Sequence, residues 1–458
     1  MIENDAFKLL LINLFHLNPD DITNIVCTTF NKMMVLLVTL ADKHQACPYC
    51  GFTAPKIKEY VTKEITHSAL TTQKCIIKYR ARRYKCPCCG KTYYEFNPFV
   101  FKSQKISILT VHNILKDLKD FNETFTSVAR RYHVSPTSVS TIFDNHVDIG
   151  RNPLPEIINF DEVYAFKSEK SKYVCVLLDF KKQIPVDVLP NRKKEYLLNY
   201  FQKIPLEERK KVKYACSDMY EVYRDVVHKV FPCSCMLLDY FHLSQDFHRK
   251  MNEVRIKVMK GYKDDKASDE YYLLKKFNWL LFKNPEDEDK YGRLFDVERE
   301  RKYNSHFKSY MNYYDLRRKL LEINNDLTIC YSLKLELVDF YSKSTIDNAK
   351  VNLEILIRSF IDTNIEEMIK FSNNLINWKQ EIINSFTIVG TEYKVEADKG
   401  QVVVCNKKVN NAIIENRNKI IKCIKNNANG YTNWSRFRNR VMYVLDPNTT
   451  FSLEPREK

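Results

Sequence analysis

Glu156-Ile-Ile-Asn-Phe-Asp-Glu-Val-Tyr-Ala-Phe166 decides how this chain is read. Its apolar run Ile157-Ile158-Asn159-Phe160 stops at Asp161. A polar gap from Lys167 to Lys172 follows, then a second run from Tyr173 to Phe180 (YVCVLLDF) and a third from Ile184 to Leu189 (IPVDVL). Short apolar runs bounded by Lys- and Ser-rich turns predict three strands in a meander. Asp161 falls where the first strand ends. A carboxylate there, on a basic chain, can hold a divalent cation against a phosphate.

Downstream, helices and strands alternate. Lys193 to Ile204 predicts a helix, and Val212 to Cys216 a strand running into Ser217-Asp218. Tyr220 to Val230 predicts a helix, and Cys233 to Leu238 a strand running into Asp239-Tyr-Phe-His242. The order β-β-β-α-β-α-β-α is that of a ribonuclease H-like α/β fold with a mixed five-stranded sheet. Its first and fourth strands are neighbours, which brings Asp161 and Asp218 to one edge. Two carboxylates so placed repel unless a cation sits between them. Mg²⁺ (or Mn²⁺) suits, because it takes oxygen ligands and keeps positions open for a phosphate.

Upstream, Cys47-Pro-Tyr-Cys50-Gly51 is matched by Cys86-Pro-Cys-Cys89-Gly90. Each turn offers two thiolates to one tetrahedral Zn²⁺, and the glycine relieves the turn. The CPxCG register assigns Cys47, Cys50, Cys86 and Cys89 as ligands and leaves Cys88 spare. Two knuckles joined through strand-like Lys74 to Tyr84 make a zinc ribbon, a closed structural site. Arg80, Arg82 and Arg83, interleaved with tyrosines, suit phosphate and base contacts, although a charge run is usually a solvated face. Residues 105–147 predict three helices. Ser135 caps the third and Pro136 opens it, in the pattern of a helix-turn-helix with Val128, Ala129, Val139 and Ile142 inside. Thr137, Ser138 and Thr141 then face a major groove, flanked by Arg130 and Arg131. Arg151-Asn-Pro-Leu-Pro155 reads as a stiff linker.

Residues 251–400 carry helical spacing and predict an all-α insertion, with an irregular patch near Gly390 to Gly400. Val409 to Lys422 predicts a basic helix whose one acidic residue is Glu415, beside Arg417, Lys419 and Lys422. That glutamate holds a metal, or else pairs with Lys419 one turn on. Arg436 and Arg438 lie among aromatics that suit DNA. The chain has 458 residues, a formal net charge of +16 and 14 Cys. The charge suits a polyanionic partner, and no apolar run is long enough to span a bilayer. The acidic start MIENDAF is unlike a signal peptide. A cytoplasmic, nucleoid-associated protein with metal-binding rather than disulfide-bonded cysteines is expected.

With these residues in place the chain resembles the DDE transposases of bacterial insertion sequences, most closely the ISL-three family. The resemblance covers nearly the whole chain. Paired CPxCG knuckles, Arg82-Arg83-Tyr84-Lys85-Cys86, Phe160-Asp161-Glu162, Ser217-Asp218-Met219, Asp239-Tyr-Phe-His242, and Trp279 to Glu286 match its motifs, as do Glu415-Asn416 and Gly430-Tyr431. A glycine usual after the glutamate is replaced in Glu415-Asn-Arg-Asn418. The resemblance implies a catalytic triad of Asp161, Asp218 and Glu415 holding two Mg²⁺, supported by Asp239 and His242. It implies cleavage of double-stranded DNA at terminal inverted repeats and 3′-hydroxyl transfer to target DNA, by a homodimer. The alternatives are a non-catalytic DNA-binding regulator and a metal-dependent nuclease without strand transfer. The expected division is N-terminal strands and zinc ribbon (1–100), helix-turn-helix (101–150), catalytic domain (156–250 and 401–446), helical insertion (251–400) and tail (447–458).

Overall fold

A computed structural model describes residues 2–43, 46–68, 70–101, 104–166, 171–395 and 402–456. Helix α1 (Ile2–Leu14) precedes the hairpin of β1 (Ile22–Phe30) and β2 (Met33–Leu40). Asn31 and Lys32 turn it with φ of +46° and +60°, as a two-residue primed turn requires. β3 (Lys56–Thr66), β4 (Cys75–Lys85) and β5 (Thr92–Tyr94) complete a sheet of order β1-β2-β4-β3, with β5 beside β4. Alternate residues of β4, namely Cys75, Ile77, Tyr79 and Ala81, are buried under Leu11 and Ile12 of α1, the period of two that a one-sided sheet dictates.

Three helices follow: α2 (Ile108–Asp117), α3 (Phe125–Arg131) and α4 (Pro136–His146). Ser107, Thr124 and Ser135 cap them by accepting the N–H of Thr110, Ser127 and Ser138. Each such cap is worth about 1 kcal/mol. Val128, Ala129, Val139 and Ile142 are buried, as the spacing predicts.

The central sheet begins after Pro155. β6 (Ile157–Val163), β7 (Val174–Asp179) and β8 (Ile184–Leu189) form an antiparallel meander. Helices α5 (Lys194–Gln202) and α6 (Leu206–Arg209) lead to β9 (Tyr214–Ser217), and α7 (Glu221–Val230) to β10 (Cys235–Leu238). β9 runs parallel to β6 and β10 parallel to β9, giving the mixed order β10-β9-β6-β7-β8. Asp161 lies inside β6, not at its end, because pairing with β7 continues to Val163 opposite Val174. Residues 167–170 of the expected polar gap lie outside the described residues.

The insertion comprises α8 (Tyr240–Lys260), α9 (Asp269–Lys276), two small hairpins, β11 (Glu288–Asp289) with β12 (Gly292–Arg293) and β13 (Lys302–Asn304) with β14 (Ser309–Met311), then α10 (Tyr313–Glu322), α11 (Asn325–Lys343), α12 (Ala349–Ile361), α13 (Glu366–Asn377) and α14 (Lys379–Asn384). It has a core of its own, from Leu243 and Phe247 on α8 to Phe371 and Phe386. The irregular patch expected at 390–400 is instead the hairpin β15 (Ile388–Val395) and β16 (Val402–Lys408). β-branched and aromatic residues favour that pairing; residues 396–401 between the strands lie outside the described residues. α15 (Ala412–Asn427) and α16 (Trp434–Leu445) end the fold. No helix of the described residues is long and apolar enough to cross a membrane.

The central sheet is covered on both faces. Ile158 and Phe160 of β6 point to α5 and α7. Val163, Val176 and Val188 point the other way and share one core with α2, α4, α15 and α16. The three-helix unit therefore packs on the sheet across the 151–155 linker. α16 is sewn in place by Arg436, 2.6 Å from Asp144 of α4, and by Arg438, 2.7 Å from Asp187 of β8. α15 is anchored at its start, where fully buried Asn159 of β6 donates to the Asn410 carbonyl (2.8 Å) and to Asn411 Oδ1 (2.7 Å). Asn159→Ala should cost about 1–3 kcal/mol in urea denaturation, because it strands one buried and one half-buried acceptor; an unchanged midpoint would show that the anchor contributes nothing.

Candidate active site

Strand register aligns three aspartates. Asn159 of β6 stands beside Cys216 of β9, so two residues on, Asp161 meets Asp218. Leu238 of β10 stands beside Ser217, so one residue on, Asp239 meets Asp218. Asp161, Asp218 and Asp239 thus form a row across the carboxyl ends of three parallel strands, where α/β sheets place their ligand sites. Parallel pairing puts corresponding positions of neighbouring strands at one level, which is why residues 57 and 78 positions from Asp161 converge on it.

Helix α15 crosses above this row. Asn418, 5% exposed, donates through Nδ2 to Asp161 Oδ2 at 2.7 Å. One turn earlier, Glu415 points to His242, with Oε1 3.6 Å from Nε2. Its other sequence reading, a surface pair with Lys419, is not what forms: Lys419 donates to Asn416. His242 is one turn into α8, with Nε2 3.8 Å from Asp239 Oδ2. Asp239, His242 and Glu415 bring one donor atom each within 4.8 Å of one another. Among the described residues, Asp161, Asp218 and Glu415 do not form such a group. The two aspartates of the expected triad face each other, and the glutamate stands closer to the expected supporting pair.

Burial dominates the electrostatics. It pushes Asp161 up to about 7, assisted by the charges of Asp218 and Glu162 and opposed by the Glu162 N–H and His242. Burial also raises Asp218, against the pull of His242 and Arg192. It raises Asp239 against His242, with Glu415 adding to the rise. Two residues that sequence reasoning left without a role line the same space. Glu162 is ion-paired with Arg192, whose guanidinium lies 4.8 Å and 4.6 Å from the rings of Tyr173 and Tyr220. Asn418 was legible only as part of the motif around Glu415; its spacing of three from that glutamate, on one helix face, is the signal.

The four knuckle cysteines converge. Sγ separations are 3.7 Å for Cys47 and Cys89 and 3.5 Å for Cys50 and Cys86. Four thiolates about 2.3 Å from a tetrahedral Zn²⁺ stand roughly 3.8 Å apart. The knuckles repeat each other: Gly51 N–H donates to the Cys47 carbonyl and Gly90 N–H to that of Cys86, with φ of +73° and +71° at the glycines. Cys88 is exposed and outside the group.

The expected DNA-facing residues divide. Arg82 is spent inside the chain on Glu95 (2.7 Å) and the carbonyls of Leu40 and Ala41. Arg131 is held by Asp117 and Glu123, and Arg436 and Arg438 by the pairs described above. Each of these four guanidiniums closes a contact between elements. Arg83 reaches Glu59, and Arg417 donates to the Gln183 carbonyl. Arg80, Arg130, Thr137, Thr141, Lys419 and Lys422 are exposed, with Ser138 partly so.

A mixed sheet of this order, covered by helices on both faces and carrying carboxylates at one edge, fits a ribonuclease H-like domain. Residues 158–397 match a family model described as Transposase, for the ISL-three group of DDE enzymes, over more than half of the chain, and the chain belongs to that family. It is similar to the transposase for insertion sequence element IS1001 of Bordetella parapertussis, 20% identical over 251 residues, which are 54% of this chain and 61% of that protein. The match thus spans less than two thirds of the relative's length.

Two outcomes test this geometry. Asp161, raised when folded, keeps its proton between the usual carboxylate range and pH about 7, where the unfolded chain has lost it. The folded state binds more protons there, so stability of the metal-free protein falls as pH rises through that window. Asp161→Asn should therefore be more stable than the wild type above pH ~7, by about 1 kcal/mol or more, with the gap closing towards pH ~4; parallel stability–pH curves would refute the shift. Zinc analysis should find one ion per chain in wild type and in Cys88→Ser, and loss of the ion with unfolding of the β3–β5 region in Cys89→Ser.

Proposed function

We propose that the chain is an insertion-sequence DNA transposase that cleaves DNA at the element's terminal inverted repeats and joins the freed 3′-hydroxyls to target DNA. The row of Asp161, Asp218 and Asp239 beneath Glu415 and His242 carries this reading. Five titratable side chains enclosed together, four of them acidic, are costly unless cations share the space. Asp218 Oδ1, Asp239 Oδ2 and His242 Nε2 are buried without hydrogen-bond partners among the described residues, so the donor set fits divalent metal. Asp161 and Asp218, which face each other, would hold Mg²⁺ or Mn²⁺, with Glu415 entering from α15 on the side of Asp239 and His242. When bound, such ions lower the pKa of an attacking water or hydroxyl and stabilise charge on the leaving oxygen.

The protein's own residues supply position and exclusion. Asn418 fixes the rotamer of Asp161 by binding one oxygen, and the Glu162 N–H binds the other at 2.7 Å. Arg192 brings positive charge to the rim, where a DNA phosphate would meet a surface otherwise acidic. Cleavage places a water oxygen on phosphorus and expels the DNA 3′-oxygen, which takes a proton to become a 3′-hydroxyl. In transfer that 3′-hydroxyl attacks a target phosphorus in the same way and expels a target 3′-oxygen. The zinc ribbon and the helix-turn-helix supply DNA contact through Arg80, Arg130, Thr137, Ser138 and Thr141. Pairing two ends calls for a homodimer.

Full-length protein incubated with Mg²⁺ and DNA carrying the element's ends should yield 3′-hydroxyl nicks and joined products. Asp161→Asn should lower cleavage by a factor of about 10³ or more while end binding in a gel-shift assay stays within about twofold. Nicks without joined products would leave a nuclease, and binding without nicks a regulator; either outcome overturns the transposase reading.

A further inference from the structure

Asp239, His242 and Glu415 differ from the aspartate pair in donor chemistry. Asp161 and Asp218 offer oxygen alone. Asp239, His242 and Glu415 offer two oxygens and one imidazole nitrogen within 4.8 Å of one another. The pairwise separations from His242 Nε2 are 3.6 Å to Glu415 Oε1 and 3.8 Å to Asp239 Oδ2. Both are too long for hydrogen bonds. Both are shorter than two coordination bonds laid end to end, about 4.2 Å for ions with ligands near 2.1 Å. Asp239 is 3% exposed, and its Oδ2 has no hydrogen-bond partner. His242 Nε2 is likewise buried and unpartnered. An ordinary histidine–carboxylate pair would close to hydrogen-bond length; these stay at 3.6 Å and 3.8 Å, spacings that two ligands of one ion can take.

The backbone explains why these three donors meet. Asp239 follows β10 in the aspartate row as the N-cap of α8, and His242 comes three residues later on the first turn of that helix. Residues three apart on a helix share a face. Glu415 comes from α15, held over the sheet by Asn159 and Asn411. The three ligands thus come from two separately anchored elements, the start of α8 with its N-cap Asp239 and the first turn of α15.

We propose that Asp239, His242 and Glu415 form a second, chemically distinct cation subsite, which takes a first-row divalent transition ion such as Mn²⁺ in preference to Mg²⁺. Imidazole suits the softer transition ions, whereas Mg²⁺ favours oxygen and near-ideal octahedral geometry. His242 is then a metal ligand, not a group that merely orients one. The inference rests on the transposase reading only for the claim that this subsite serves DNA cleavage; the binding of the ion stands on the donor set.

The test uses the full zinc-loaded chain without DNA. Mn²⁺ is titrated and followed by electron paramagnetic resonance, with pulsed measurement of ¹⁴N coupling. Wild type should show one Mn²⁺ coupled to a single imidazole nitrogen. His242→Gln, verified as folded by circular dichroism, should lose the coupling and bind Mn²⁺ at least about tenfold more weakly, with a smaller change for Mg²⁺. Glu415→Gln should weaken both ions. Asp161→Asn should retain the nitrogen coupling. Absence of coupling in wild type, or its persistence in His242→Gln, overturns the subsite. Nitrogen-coupled Mn²⁺ in a protein that never cuts DNA removes the transposase reading and leaves the subsite; cleavage without nitrogen coupling does the reverse.

Discussion

The site depends on one buried contact, the pair of hydrogen bonds from Asn159 on β6 to Asn410 and Asn411 at the start of α15. It adds a buried polar tie to the apolar core that the sheet shares with α15. Asn159 has no exposure to solvent, so its amide N–H groups need partners within the protein. The Asn410 carbonyl and the side chain of Asn411, the N-cap of α15, supply them. Two residues further along the same face of β6, Asp161 receives Asn418 from the same helix. One strand face and one helix face are thereby locked in register, and Glu415, one turn before Asn418, has a fixed address.

That address carries an electrostatic cost. Burial raises Asp161, Asp218 and Asp239 together, and among the described residues none of the three gains a compensating Lys or Arg salt bridge. The basic side chains nearest the site, Arg192 and His242, are fewer than the acids. Elsewhere several buried or half-buried acids are paired with arginine: Glu95 with Arg82, Asp187 with Arg438, Glu208 with Arg151. Leaving the strand-end carboxylates unpaired in a protein that pairs others of its buried charges is a local departure from consistency, and such departures mark functional sites.

The insertion supports this arrangement without lending it ligands beyond α8. It leaves the sheet through α8 and returns through the β15–β16 hairpin to α15. Asn384 at the end of α14 donates to the Met236 carbonyl of β10 (2.9 Å), and Arg224 of α7 lies 4.3 Å from the Trp378 ring. These contacts hold it against the edge of the sheet that carries Asp239.

Much was legible in the residues themselves. The paired CPxCG turns announced four converging thiolates, because two-residue spacing and a following glycine admit few other geometries. The meander and the alternating helices announced the sheet order, since short apolar runs cannot be satisfied as helices of that length. Asp161 and Asp218 could be paired from that order alone. What the sequence could not say is which charged groups the fold consumes. Arg82, Arg131, Arg436 and Arg438 look identical in composition to residues free to meet DNA, and only packing showed them closing contacts between distant elements. Nor could it show that Glu415 would stand with Asp239 and His242, or that Asn418 would reach Asp161. Local pattern fixes which face of an element a residue occupies; the neighbour on that face, here more than 170 residues away in the chain for Glu415 and His242, is chosen only when the elements pack.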